Sequence, residues 1–282
     1  MASALEPHAS VSVCAGIDGI DRNFRETSEM VKIKNLAIGY GNRRVLQKTD
    51  LHVYPGECMA LLGASESGKT SLLRSIAGLA PLVEGEIWLE GSIASLPGRH
   101  MKPHARSVAM VFQEPSLWPH LTVRQHLEFA AGRCKKMLKQ MRVAYLLERV
   151  GLVDVENQYP GRLTLVEQQR LELGRALARQ PRILLLDEPL STLDTRIRRK
   201  LLLDMARIIK EFYMTTIYAT REWKEAVFIA DRVAALGDGR IETVVFADHY
   251  TPAEGSPFEN GSPADRFSTR GKVIHMNFHR NQ

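Results

Sequence analysis

Gly63-Ala64-Ser65-Glu66-Ser67-Gly68-Lys69-Thr70, followed by Ser71, fits the pattern G-x-x-x-x-G-K-S/T. A near-apolar run, Cys58 to Leu62, leads into it, and a helical pattern leads out from Ser67–Lys69. The two glycines let the backbone curl so that successive N–H groups turn inward toward an anion. The helix start adds its partial positive charge. Lys69 is placed to reach the β- and γ-phosphates of a nucleotide, and the Thr70 hydroxyl to ligate Mg²⁺. One residue sits awkwardly. Glu66 lies where such a loop runs nearest the phosphates, and a left-handed backbone there costs a non-glycine residue of order 1 kcal/mol. Its carboxylate repels phosphate unless it swings into water.

Working outward, short apolar runs alternate with helical patterns. Cys58–Leu62, Val108–Phe112, Ile183–Leu186, Thr215–Ala219 and Val233–Leu236 are near-continuous apolar stretches, as expected of strands buried on both faces of a parallel sheet. Val31 and Ile33 alternate with Lys32 and Lys34, which predicts a half-exposed edge strand. Ile197, Leu201, Met205, Ile208 and Phe212 form one helical stripe. Asp238-Gly239 signals a hairpin turn. The alternation predicts an α/β fold.

Bulk properties narrow the class. The chain has 282 residues, 44% of them apolar, enough to bury a sizeable core. Cys14, Cys58 and Cys134 are too few and scattered for a disulfide framework, which fits a reducing compartment. No apolar run approaches the ~20 residues that cross a bilayer, and the first thirty residues lack the pattern of a secretory signal. Any membrane role therefore requires another chain as anchor. The net charge of +6 is spread along the sequence and reads as a solvated surface rather than as attraction to anionic lipid or nucleic acid. Its densest stretch, Arg133 to Arg142, holds Met137, Leu138 and Met141 at helical spacing and predicts an amphipathic helix with a basic outer face. Arg196 to Lys200 opens a second basic helix. Residues 1–29 and 249–282 have the composition of disordered tails.

Further on, Ile183-Leu184-Leu185-Leu186-Asp187-Glu188-Pro189 is an apolar strand ending in two acids, and Leu190-Ser191-Thr192-Leu193-Asp194 follows at once. Downstream of a phosphate loop, this pair of segments resembles the Walker B strand and D-loop of ABC ATPases. The resemblance covers about residues 30–245. It implies a P-loop NTPase fold with a RecA-like core, an antiparallel β subdomain and a helical subdomain at about 114–178, all within a domain of about 30–248.

The same resemblance implies roles. Tyr40 is similar to the aromatic that stacks on adenine. Val111-Phe112-Gln113-Glu114-Pro115 resembles the Q-loop, where Gln113 would touch Mg²⁺ and the attacking water. Thr70, Gln113 and Asp187 would form the Mg²⁺ shell, and Glu188 would be the general base. The stretch from Ser116 to Val123 is similar to bacterial importer subunits. The family works as pairs of ATP-binding subunits bound to an integral membrane permease, in some cases with a periplasmic solute-binding protein. That implies a peripheral position on the cytoplasmic face of the inner membrane, ATP and Mg²⁺ as ligands, and no nucleic-acid partner.

Two motifs depart from the family. Where an LSGGQ signature is expected, the sequence reads Leu163-Thr164-Leu165-Val166-Glu167, although Gln168-Gln169-Arg170 and Arg175-Ala176-Leu177 keep the register. Leu165 and Val166 put side chains where glycines let N–H groups approach the γ-phosphate, β-branched valine resists unusual φ, and Glu167 adds negative charge. The second departure is Arg221, where the family has a histidine; it is longer, permanently charged and no neutral acceptor. Removing one preorganised donor from a developing charge costs about 10²–10³ in rate. The sequence thus predicts retained nucleotide binding with weak or absent turnover. Two readings stand, a transport ATPase and a non-hydrolysing regulatory subunit. A soluble ABC protein of DNA repair or translation fits less well, because the chain has one phosphate loop and no long heptad run.

Overall fold

The computed structural model describes residues 29–41 and 43–247. Apart from Glu29, which pairs with Lys32 and His52 at 2.7 Å each, the two expected tails lie outside the described residues.

Five of the apolar runs become the parallel strands of one sheet. These are β3 (Cys58–Leu62), β7 (Val108–Val111), β8 (Ile183–Asp187), β9 (Thr215–Thr220) and β10 (Arg232–Gly237). With the antiparallel β11 (Arg240–Phe246) at one edge, the order is β11-β10-β3-β9-β8-β7. Alternate residues feed two cores. Ile183, Leu185, Ile217 and Ala219 pack on one face, while Leu184, Leu186 and Tyr218 pack on the other. That double burial is why these strands read as unbroken apolar runs. Asp238 and Gly239, both at positive φ, turn β10 into β11 as expected.

A second, antiparallel sheet has the order β2-β1-β4-β5-β6, formed by β1 (Val31–Tyr40), β2 (Arg43–Val53), β4 (Glu84–Leu89), β5 (Ser92–Leu96) and β6 (Arg99–His100). The expected edge strand at Val31 is a correction. β1 pairs with β2 on one side and β4 on the other. Its alternation reports one buried face, with Val31 and Ile33 fully buried, and says nothing about how many neighbours a strand has.

Helix α1 (Lys69–Ala77) lies between the sheets, its Leu72, Leu73 and Ile76 fully buried in a core shared by both. Arg106 fixes its far end. The guanidinium is 5% exposed and donates to the carbonyls of Ser75 (3.0 Å), Ile76 (2.6 Å), Ala94 (3.1 Å) and Met101 (3.0 Å) and to Ser95 Oγ (2.7 Å). It thereby adds a charged donor at the last carbonyls of the helix, where Ser75 O also accepts the Gly78 amide at 3.1 Å. Burial lowers its pKa to about 10, so it remains charged at neutral pH.

Between β7 and β8, helices α2 (Val123–Ala130), α3 (Lys136–Arg149) and α4 (Leu165–Ala178) share one apolar cluster with the outer face of the parallel sheet. The basic helix is shifted from expectation. α3 starts at Lys136 and buries Val143, Leu146 and Leu147, while Met137, Leu138 and Met141 face outward, Met137 being 72% exposed. The methionine stripe was legible as helical, but it is not the face that packs. α5 (Thr195–Glu211) buries Leu201, Met205 and Ile208, whereas Ile197 at its start stays exposed. α6 (Trp223–Ile229) closes the order before β10.

Candidate functional site

The loop between β3 and α1 curls as the sequence predicts. Gly68 has φ 107° and Glu66 φ 64°, so the strained glutamate is a feature of the fold. Glu66 is exposed to solvent and also lines the cavity at this loop, so its charge stays beside the anion site. Gly63 tolerates no side chain: an added Cβ would lie 2.5 Å from the Leu236 carbonyl oxygen and 2.6 Å from Ser67 Oγ. No side chain caps α1, which leaves its first N–H groups for a ligand.

A cavity of about 300 Å³ opens on this loop. Ser65, Glu66, Gly68, Lys69, Thr70 and Ser71 line it, joined by Gln113, Glu188 and Arg221 from three other segments. The topology brings these together because β3, β8 and β9 are neighbours and all point their C-terminal ends the same way. Asp187 ends β8, and Glu188 follows at φ 44° with its N–H on the Ala219 carbonyl at 3.1 Å.

Charges dominate the cavity. Lys69 Nζ donates to the Gly63 and Ala64 carbonyls at 2.8 and 2.7 Å and sits 3.2 Å from Glu188 Oε1. Arg221 Nε is 2.9 Å from Glu188 Oε2, and its Nη1 donates to Ser65 Oγ at 3.2 Å. Burial pushes the Lys69 ammonium below its ordinary pKa, and Glu188 opposes that shift. Thr70 Oγ1 donates to Asp187 Oδ1 at 3.0 Å. Asp187 is 2% exposed, and burial raises its pKa, with the Thr70 hydrogen bond working the other way.

The donor set suits Mg²⁺ with a nucleotide. Among the described residues no three His, Cys, Asp or Glu side chains form a self-sufficient metal cage. One hydroxyl and one carboxylate beside an anion cradle is instead the sparse all-oxygen set with which Mg²⁺ is held alongside phosphates. Gln113 reaches the same cavity and donates to Ser191 Oγ at 3.4 Å.

Other expected residues stand elsewhere. Tyr40 is half exposed at the end of β1 and does not line the cavity. Asp194 caps α5, accepting from the Arg196 and Ile197 amides at 3.1 Å each. Thr164, Leu165, Val166 and Glu167 also lie off the cavity and form the start of α4. Here the sequence reading needs correcting. Leu165 and Val166 take ordinary helical backbone, so no unusual φ is asked of the valine. Glu167 turns back on Thr164, accepting its amide and its hydroxyl at 2.8 Å each, while the Glu167 amide donates to Thr164 Oγ1 at 3.3 Å. This is a capping box. The Thr164 hydroxyl is engaged within it rather than offered outward.

Sequence reasoning missed Val45 and Ser191. Val45 lines the cavity from β2, and nothing distinguishes it from any other strand valine. Ser191 lies inside the Leu190–Asp194 stretch already singled out, and its position there was the available signal.

The chain is similar to known proteins over most of its length. Residues 46–191 match the family described as ABC transporter. The sulfate/thiosulfate import ATP-binding protein CysA of Nocardia farcinica is 36% identical over 255 residues, covering 89% of this chain and 73% of that protein. The putative 2-aminoethylphosphonate import ATP-binding protein PhnT of Salmonella typhi is 37% identical over 214 residues, 75% of this chain and 57% of its own length. A dimeric ATP-binding cassette in a post-hydrolysis state, bound to ADP and Pi, superposes with a TM-score of 0.68 at 26% identity, over 78% of this chain and all of that one. A component of the cbiONQ ABC transporter complex of Clostridium perfringens superposes with a TM-score of 0.72 at 22% identity, over 79% of this chain and 90% of its own, and shares the fold.

Proposed function

The chain belongs to the ABC transporter family, and from that premise we propose that it is an ATP-binding subunit with restrained turnover, acting on a separate membrane permease. The observation that carries the restraint is the double engagement of Glu188, whose two oxygens are held by Lys69 at 3.2 Å and Arg221 at 2.9 Å. A general base must offer a free oxygen to the proton it takes.

In this reading Gly63 to Ser71 hold the phosphates, with Lys69 exchanging its carbonyl partners for phosphate oxygens. Thr70, Asp187 and Gln113 hold Mg²⁺, which when bound offsets charge on the phosphates. Glu188 orients water once Lys69 has turned to the phosphates, and Arg221 is then the contact that still withholds it. Tyr40 supplies an aromatic face for the base from outside the cavity. The capped start of α4 offers little to a nucleotide on a second subunit, so partnership with an ATP-binding chain whose own signature is open suits this chain better than self-pairing.

We place the chain peripherally on the cytoplasmic face of the inner membrane by analogy with the import ATP-binding relatives; no helix among the described residues is long and apolar enough to cross a membrane. The exposed Phe129, Met137 and Leu138 on α2 and α3 supply apolar surface for a permease to cover. We assign solute choice to the permease and to any periplasmic binding protein. Two relatives named for different solutes, sulfate or thiosulfate and 2-aminoethylphosphonate, are almost equally similar to this chain.

The test is Mg-ATP binding and phosphate release by the purified chain, alone and with its permease. Binding with slow release is expected. Ordinary transporter turnover, unaltered by Arg221→His, would refute the restraint. Failure to bind Mg-ATP at millimolar concentration would remove the assignment of the cavity.

A further inference from the structure

Beside the first cavity lies a smaller one, about 40 Å³, that shares Glu188 and Arg221 with it. Its wall includes Arg198 of α5, a residue with no part in the reading above. Arg198 Nη2 donates to the Leu193 carbonyl at 2.9 Å and the Ser191 carbonyl at 3.4 Å. The other edge of the guanidinium faces α6. Nε is 3.6 Å from Glu225 Oε1, and Nη1 is 3.9 Å from Glu222 Oε1. Glu225 is 8% exposed and already committed, its Oε2 accepting from Tyr218 Oη at 2.9 Å and Thr220 Oγ1 at 2.8 Å. Thr220 Oγ1 in turn accepts the Glu222 amide at 3.0 Å. Arg221 stands between those two residues, and Ser191 is the residue that Gln113 touches.

We infer that Arg198 is a positioning residue, a planar strut that sets the spacing between the Ser191–Asp194 loop and the Thr220–Glu222 segment. Through them it governs how Gln113 and Arg221 stand relative to Glu188. This rests on the reading of the larger cavity as the Mg-ATP site.

The strut is not fully closed in this structure. Arg198 Nε is buried and makes no hydrogen bond, and a buried N–H left unpaired is costly. A shift of about half an ångström toward Glu225 would bring it within bonding distance. Because Nη2 of the same rigid plane holds two loop carbonyls, that shift carries Ser191 and Leu193 with it. Movement on either side is thereby transmitted to the other. A lysine could hold one end but lacks the fork that spans both.

Hydrogen exchange of the full chain, with and without millimolar Mg-ATP, tests this in Arg198→Met and Arg198→Lys. Without nucleotide, Arg198→Met should exchange at least about tenfold faster at 190–194, the consequence of losing the charged hydrogen bonds to the Leu193 and Ser191 carbonyls, and Arg198→Lys several-fold faster. They should also exchange several-fold faster at 220–225, with α5 beyond residue 200 unchanged. With Mg-ATP, the wild type should slow in both segments together, and Arg198→Met only at 220–222. Faster exchange confined to 190–194 would reduce Arg198 to a local tie. Recovery in Arg198→Lys would mean charge alone suffices. Either result overturns the strut. If Mg-ATP slows nothing in any protein, the site assignment fails, while the nucleotide-free comparison still decides the role of Arg198.

Discussion

Arg221 Nε stands 2.9 Å from one oxygen of Glu188 while Lys69 Nζ stands 3.2 Å from the other. The two contacts differ in kind. Lys69 has an alternative partner in an incoming phosphate, whereas Arg221 is 46% exposed at its side chain and also holds Ser65. It can remain on Glu188 with the cavity filled. Arg221→His should therefore raise phosphate release at saturating Mg-ATP by about tenfold, the value of one charge-assisted hydrogen bond. Arg221→Lys should raise it less, because the charge stays. Unchanged release in the histidine variant would mean that the Arg221 contact does not limit turnover.

How much of this could be read beforehand follows from what each residue's surroundings demand. The five parallel strands were legible because both faces are buried and the sequence shows it as apolar runs. The phosphate loop was legible because tight backbone leaves few choices at Gly63 and Gly68. β1 was misplaced at an edge because alternation encodes one buried face and not the second neighbour. Met137, Leu138 and Met141 were misjudged because spacing cannot tell which of two apolar stripes packs inward. At Thr164–Glu167 the local signal, threonine followed by glutamate three residues later, was present. It was read against phosphate chemistry and not as a helix cap. The Arg221–Glu188 contact was beyond reach, since it depends on β8 and β9 lying side by side.

Asp187 is held at a cost. It is buried, and burial lifts its pKa above the ordinary value. A carboxyl whose folded pKa is raised binds its proton more tightly in the native state, so stability falls as pH rises through that folded value. Asparagine keeps an acceptor for Thr70 without the charge. Asp187→Asn should raise Tm at pH 7.5 by about 2–4 °C, equivalent to about 1 kcal/mol in a domain of this size. The gain should vanish below about pH 4, where the ordinary carboxyl is protonated as well. Mg²⁺-dependent nucleotide affinity should be lost in the same variant. Calorimetry across pH with a nucleotide titration checks both, and a destabilised asparagine variant would contradict the cost.

The capping box gives a way to separate geometry from charge at the start of α4. Thr164→Ala removes the side chain that accepts the Glu167 amide and should cost about 1 kcal/mol of stability. Glu167→Gln keeps a group that can accept from the Thr164 amide, as glutamine does at this position in other boxes. It should leave Tm within about 1–2 °C of the wild type, a change of under 0.5 kcal/mol. If the negative charge is what weakens nucleotide-dependent pairing with a second subunit, Glu167→Gln should strengthen that pairing, measured by sedimentation with Mg-ATP. Leu165→Gly with Val166→Gly should do the reverse to the fold, costing about 1 kcal/mol for the pair, since glycine is about 0.8–1 kcal/mol worse than alanine in a helix and valine is already a weaker helix former than leucine. Equal Tm for the threonine and glutamine variants would contradict the cap.

His126 supplies a pH dependence whose sign is fixed by its contacts. It is fully buried on α2, with Nδ1 at 2.8 Å from the Thr122 carbonyl and Nε2 accepting the Trp118 amide at 2.9 Å. Nδ1 therefore carries the proton of a neutral ring. Burial pushes its pKa down, and the Thr122 carbonyl opposes this; Arg175 and His120, the charged and titratable groups that bear on it, push the same way as burial. A histidine depressed in the folded state contributes stability that is complete above its ordinary pKa and is lost as pH falls through the folded value. Protonation also removes the acceptor for Trp118, in the segment that follows Gln113 and is tied to α4 by Glu172 and Arg175. Tm should therefore fall between pH 7.5 and pH 5.5, and the fall should be about 2–4 °C smaller in His126→Gln, which cannot protonate. Parallel pH profiles for the two proteins would mean that His126 does not carry the dependence, and the wild-type decline would then belong to other titrating groups.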